Sequence, residues 1–229
     1  MYKMGKRALL SFIYGSDFER ELGQGCISFE REQMEKNGAW RLWARLLALA
    51  LVLVNTGMSL IAIPAFAMLI LLTNWIVITT TLTVFLLILW ASDPHISQKK
   101  GKLAVLHLLY SVSLVLSQCF LIYWVFIHPF SEQKDPFIQM HAILVHINPL
   151  ISLAIVHWTT DIYLIESHWV SMVPIHCAYD VINFVVVRAL GKPLYWFIDW
   201  TSFHSVVYCG LIILYQCLGW ILTAHLLPK

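Results

Sequence analysis

Six apolar runs of membrane-spanning length constrain this chain more than any other feature. They cover approximately residues 42–64, 68–90, 103–127, 137–157, 169–189 and 203–225. Each is close to the ~20 residues that an α-helix needs to cross a hydrocarbon core. Inside lipid, backbone N–H and C=O groups must find partners within the segment, so these runs are expected to be helices. A membrane barrel would show alternating segments of about 10 residues, whereas these runs are continuous. The breaks between them have chemical causes. Pro64, Asp93-Pro94, Lys99-Lys100-Gly101-Lys102, His128-Pro129, Asp135-Pro136 and Gly191-Lys192-Pro193 stop a helix or carry charge. The expected fold class is all-α: a polytopic membrane protein with a six-transmembrane-helix bundle over residues 42–229. Residues 1–41 are expected to form a separate polar, amphipathic arm.

Composition agrees with this class. Of 229 residues, 59% are hydrophobic and 12% charged, against about 25% charged in soluble domains. Lys and Arg are expected outside the hydrocarbon, and a net charge of +2 gives no reason to expect nucleic acid as a partner. With six spans, the side shared by both termini carries twelve of the fifteen Lys and Arg residues. The positive-inside rule then puts both termini in the cytoplasm, or in the matrix of a mitochondrion. The expected location is an endomembrane or the mitochondrial inner membrane. Trp40, Trp43, Trp90, Trp158, Trp169, Trp196 and Trp200 lie at span ends, as an aromatic belt would. The five cysteines show neither disulfide nor zinc spacing. No cleavable signal peptide is expected, because residues 1–40 are too polar for an apolar core.

Within the arm, Leu9, Leu10, Phe12 and Ile13 sit beside Lys6 and Arg7. That pattern suits an interfacial helix in contact with membrane lipid. A docking arm for other subunits of a membrane complex is the alternative use of residues 1–41.

Polar groups inside the spans carry the functional argument, since such groups are costly in lipid and mark interiors or cavities. His146 and Asn148 lie in the fourth span; His176, Asp180 and Asn183 form an i, i+4, i+7 stripe on the fifth. The six-span topology brings Thr73, His141, His146, Asn148, Asn183 and the loop residues Tyr195 and Asp199 into one leaflet. His176 falls deeper and reads as a structural hydrogen-bond partner. His141 and His146 are five residues apart, roughly 140° around a helix, so no metal site is expected, and no cofactor. A threonine hydroxyl becomes a nucleophile when a base takes its proton, and histidine is such a base. Thr73 and His146 supply that pair, with Asp180 or Asn183 available to orient the ring. Asn148, Asp180, Asn183, Tyr195 and Asp199 are the candidate substrate-binding residues around it. Hydroxyls on membrane helices also commonly bond to backbone, and Thr79, Thr80, Thr81 and Thr83 share the span with Thr73.

Four segments resemble one known family in order and spacing. Leu71-Leu72-Thr73-Asn74-Trp75-Ile76 is similar to the opening of the second span in the androgen-induced membrane hydrolases. Phe120 to Phe126 resembles the aromatic end of that family's third span, and His141 to Pro149 its histidine-containing fourth span. Ala178-Tyr179 and Gly191 to Trp200 resemble its later tyrosine and loop motifs. The resemblance implies six spans and hydrolysis of lipid esters, fatty acid esters of hydroxy fatty acids. It also implies a threonine nucleophile at Thr73 and a histidine at His146, with His141 as the competing alignment. Trp196 stands where the family has proline, the family's Asn-His-x-x-His is not intact, and residues 1–40 have no counterpart. Those departures fit a second class of function: a non-catalytic accessory subunit of a respiratory or ATP-synthase type assembly.

Overall fold

The computed structural model describes residues 31–63, 70–91, 100–130, 135–160, 164 and 168–226. Residues 1–30 of the expected arm lie outside the described residues, and residues 31–41 form the start of the first helix. Six long helices follow in order: α1 (Arg31–Ala62), α2 (Leu72–Ala91), α3 (Lys100–Ser117), α4 (Pro136–Thr159), α5 (Trp169–Leu190) and α6 (Phe203–Leu226). The third span runs beyond α3 through a helical turn at Cys119–Ile122, a π-helical turn at Tyr123–Ile127 and a 3-10 turn at His128–Phe130. Among the described residues six segments are long and apolar enough to cross a membrane, so the chain is an integral membrane protein. No strand occurs among the described residues; Tyr195 and Ile198 form an isolated antiparallel bridge.

Local chemistry sets the helix ends. Pro136 opens α4, where its missing N–H costs nothing. The Asp135 carboxylate accepts from the Phe137 and Ile138 N–H groups at 2.8 and 3.3 Å, satisfying two otherwise orphaned donors. Gly191 ends α5 with φ +68° and donates its N–H to the Val187 carbonyl, a conformation that costs glycine little.

The helices pack through an antiparallel ladder between α1 and α4. Arg45, Ala48, Val52, Asn55 and Ser59 recur at helical spacing on α1 and are almost fully buried. Arg45 donates to the Thr159 carbonyl and hydroxyl, and Ser152 donates to the Ala48 carbonyl at 2.9 Å. Asn55 donates to the Leu144 carbonyl, while Asn148 donates to the Asn55 side chain and the Leu51 carbonyl. Ser59 Oγ meets His141 Nε2 at 2.8 Å. Arg45 thus corrects the expectation that every basic residue stays outside the spans. It lies one to two turns inside the first span, 4% exposed, and is tolerated because α4 supplies acceptors.

α2 packs against α1, α3 and α4, and α5 pairs with α6 and leans on α3. The α3 span is the most enclosed, 56% buried, against 22% for α5 and for α6. Two apolar clusters fill the interior. One gathers Ala48, Val84, Leu87, Leu106, Tyr110 and Leu153; the other gathers Ile76, Val115, Leu116, Met172 and Trp220. Thr79, Thr81 and Thr83 turn their hydroxyls back to carbonyls of their own helix, as isolated hydroxyls on membrane helices do.

Candidate functional site

Thr73 behaves differently from the threonines after it. It is the second residue of α2, and its Oγ1 lies 3.3 Å from His146 Nε2 on α4. His146 Nδ1 lies 2.6 Å from the Ala142 carbonyl. A carbonyl can only accept, so Nδ1 carries the proton and Nε2 presents a lone pair to Thr73. The Thr73 hydroxyl therefore donates to His146. The ring is fixed from a second direction by Tyr123, stacked at 3.7 Å between centroids and 12° between planes. Tyr123 opens the π-helical turn that ends the third span, and such turns often re-aim side chains at functional sites.

The N-terminus of α2 is held by two phenols. Tyr179 donates to the Ile70 carbonyl at 3.3 Å, and its hydroxyl lies 3.3 Å from that of Tyr195. Trp75 packs edge-on against Tyr179 at 5.6 Å. Burial pushes the Tyr195 phenol above its ordinary pKa, so it stays a neutral hydrogen-bonding group.

These groups line one cavity, about 520 Å³ with its open mouth included. Its polar lining is Thr73, His146, His176, Tyr179, Asp180 and Tyr195; its apolar lining includes Leu72, Ile122, Tyr123, Phe197, Ile198 and Ile212. A second recess of about 1070 Å³, open side included, shares Ile122, Phe197 and Ile212 with the first. Its remaining lining is Leu121, Val125, Trp196, Tyr208, Leu211 and Tyr215, almost entirely apolar. A polar chamber and an apolar groove along the third and sixth spans thus adjoin at Ile122, Phe197 and Ile212.

Of the other expected residues, His141, Asn148 and Asp199 make their contacts away from this chamber, and Asn183 reaches it through Tyr179, to whose hydroxyl it donates at 3.5 Å. His141 is bound to Ser59, whose hydroxyl also lies 3.4 Å from the Asn74 side-chain oxygen, in a buried contact among α1, α2 and α4. Asn148 serves the α1–α4 ladder. Asn183 accepts from Trp200 Nε1 at 2.7 Å and thereby anchors the α5–α6 loop. Asp199 accepts from the Thr201 N–H, the Thr201 hydroxyl and the Ser205 hydroxyl. Those bonds hold its carboxyl below the usual range and start α6. Neither Asp180 nor Asn183 orients His146; the Ala142 carbonyl and the Tyr123 ring do. Asp180 lines the chamber and bonds to the Cys209 thiol. His176, expected as a structural partner, instead lines the chamber with a buried Nε2 that has no hydrogen-bond partner. Among the described residues no group of three or more His, Cys, Asp or Glu could hold a metal ion.

Sequence reasoning missed Tyr123, Ser59 and Tyr179 as contributors. Tyr123 stood within a recognised aromatic run, but which of its rings meets His146 depends on the π-helical register. No family model, curated protein or solved structure matches this chain.

Proposed function

We propose that this protein is a membrane-embedded hydrolase of lipid esters, with Thr73 as nucleophile and His146 as base. The observation that carries the reading is the Thr73–His146 contact together with the Nδ1–Ala142 bond that fixes the ring's tautomer. The Thr73 Oγ–H passes its proton to His146 Nε2 as the oxygen attacks the ester carbonyl carbon. The tetrahedral adduct collapses, the ester C–O bond breaks, and His146 returns the proton to the departing alkoxide. An acyl-threonine and an alcohol result. Water then attacks the acyl carbon and gives a proton to His146. The Thr73 oxygen leaves, retakes that proton, and a fatty acid is released.

The lining supports a substrate with one long apolar arm. Its ester sits in the polar chamber and its chain in the groove between the third and sixth spans. Phe203, Leu211 and Leu214 on α6 are exposed outward, so the groove opens where lipid chains would lie. The excess of basic residues on the opposite side supports assigning this end of the bundle to the non-cytoplasmic leaflet.

The test is turnover of a fluorogenic long-chain acyl ester by the full chain in detergent micelles. Thr73→Ala and His146→Gln are expected to lower kcat/KM at least ~10³-fold, as loss of a nucleophile or its base does elsewhere. Thr73→Ser is expected to keep measurable activity. Turnover by Thr73→Ala at the wild-type rate would exclude the mechanism.

A further inference from the structure

The chamber contains one buried polar atom that the Thr73–His146 chemistry leaves unused. His176 is 2% exposed, lies on α5 one turn before Tyr179 and Asp180, and lines the chamber beside Thr73 and His146. Its Nε2 has no hydrogen-bond partner. The other polar groups of the lining have partners: Thr73 with His146, Tyr179 with Tyr195 and Ile70, Asp180 with Cys209. A buried imidazole nitrogen without a partner opposes folding, because water has been removed and nothing replaces it. A ligand in the chamber that His176 lines would supply the missing partner.

We infer that His176 donates a hydrogen bond from Nε2 to the carbonyl oxygen of the bound ligand and holds that oxygen as charge develops on it. This rests on the reading of Thr73 and His146 as nucleophile and base, which supplies no donor for the carbonyl oxygen from its own two side chains. A neutral imidazole has one N–H, and the tautomer that carries it on Nε2 can serve this role without bringing a charge into the hydrocarbon. The contact strengthens as the carbonyl oxygen becomes an oxyanion, so it acts on kcat more than on KM. His176 is then a catalytic residue that touches the reacting group, distinct from the base.

Two measurements on the full chain in micelles test this. The first is the rate of covalent labelling by a long-chain alkyl fluorophosphonate, whose phosphoryl oxygen occupies the carbonyl position. His176→Ala is expected to slow labelling ~10²-fold or more, as removal of one oxyanion donor does, and His176→Gln, which keeps an N–H donor, to recover part of it. The second is thermal stabilisation of the Thr73→Ala protein by an uncleavable long-chain fatty amide. That stabilisation is expected to vanish when His176→Ala is added. Unliganded His176→Leu is expected to melt no lower than wild type, since it removes an unsatisfied group. Labelling at the wild-type rate in His176→Ala, or amide stabilisation that persists without His176, overturns the inference. If wild type itself is not labelled, the nucleophile reading fails, and the amide measurement alone decides whether His176 is a ligand donor.

Discussion

At the scale of single residues, Thr73 contrasts with threonines later in α2 that bond to a carbonyl within their own helix. Thr79, Thr81 and Thr83 each have one. Thr73 sits in the first turn of α2, at the end of the helix that meets His146 of α4. Its hydroxyl turns to His146. The ring it meets is locked by the Ala142 carbonyl and by Tyr123. Tyr123→Ala should leave the hydroxyl and imidazole in place but free the ring to rotate. We expect kcat to fall roughly 10- to 100-fold, since small misplacements of reacting groups cost that much. Tyr123→Phe keeps the stacking ring and should stay near wild type. Steady-state ester kinetics distinguish the two variants.

At the scale of elements, the polar ladder between α1 and α4 fixes how those helices are rotated. His141 and His146 lie on one helix, yet the first faces Ser59 of α1 and the second Thr73 of α2. Asn148→Ala would strand the Asn55 side-chain oxygen that it now satisfies. We expect a loss of about 1 kcal/mol, at the upper side of the range for hydrogen bonds between membrane helices. Changing Asn55 and Asn148 together to leucine should cost less than the sum of the single changes, because no orphan remains. Reversible unfolding in mixed micelles would measure both.

The loop that leads into α6 follows similar logic outside the membrane. Trp200 takes φ +56°, an uncommon conformation for a residue with a side chain. It is held there by Asn183, Arg188 and Ser205. Asp199 stabilises the same turn as a carboxylate. Its folded pKa is depressed, so its contribution is present above the unfolded value of about 3.9 and fades as pH falls through the folded value. The difference in Tm between wild type and Asp199→Asn should stay constant above about pH 5 and close toward zero at lower pH. A gap unchanged down to pH 3 would mean that the charge does not support the turn.

At the scale of the whole molecule, the spans were legible because a membrane helix announces itself by length and apolarity alone. The expected 203–225 became Phe203–Leu226, and 137–157 became Pro136–Thr159. Meeting of Thr73, His146 and Tyr195 at one end of the bundle also followed from the number of crossings, which decides which helix ends are neighbours. What could not be read is helix rotation. Nothing in the local pattern says that Asn148 faces α1, that Asn183 turns to Trp200, or that His176 faces the chamber. Those outcomes depend on packing between helices distant in sequence. The π-helical turn at Tyr123–Ile127 is similar: it shifts one register of the third span, and composition carries no trace of it.

The claim at the centre of this account is that the Thr73 oxygen forms a bond to substrate with His146 taking its proton. The most direct measurement is mass spectrometry of the full chain after reaction with a long-chain alkyl fluorophosphonate, with the modified residue located by peptide sequencing. One adduct is expected, on Thr73, absent from Thr73→Ala and strongly slowed in His146→Gln. An adduct on another residue, or one that forms unchanged in Thr73→Ala, would contradict it.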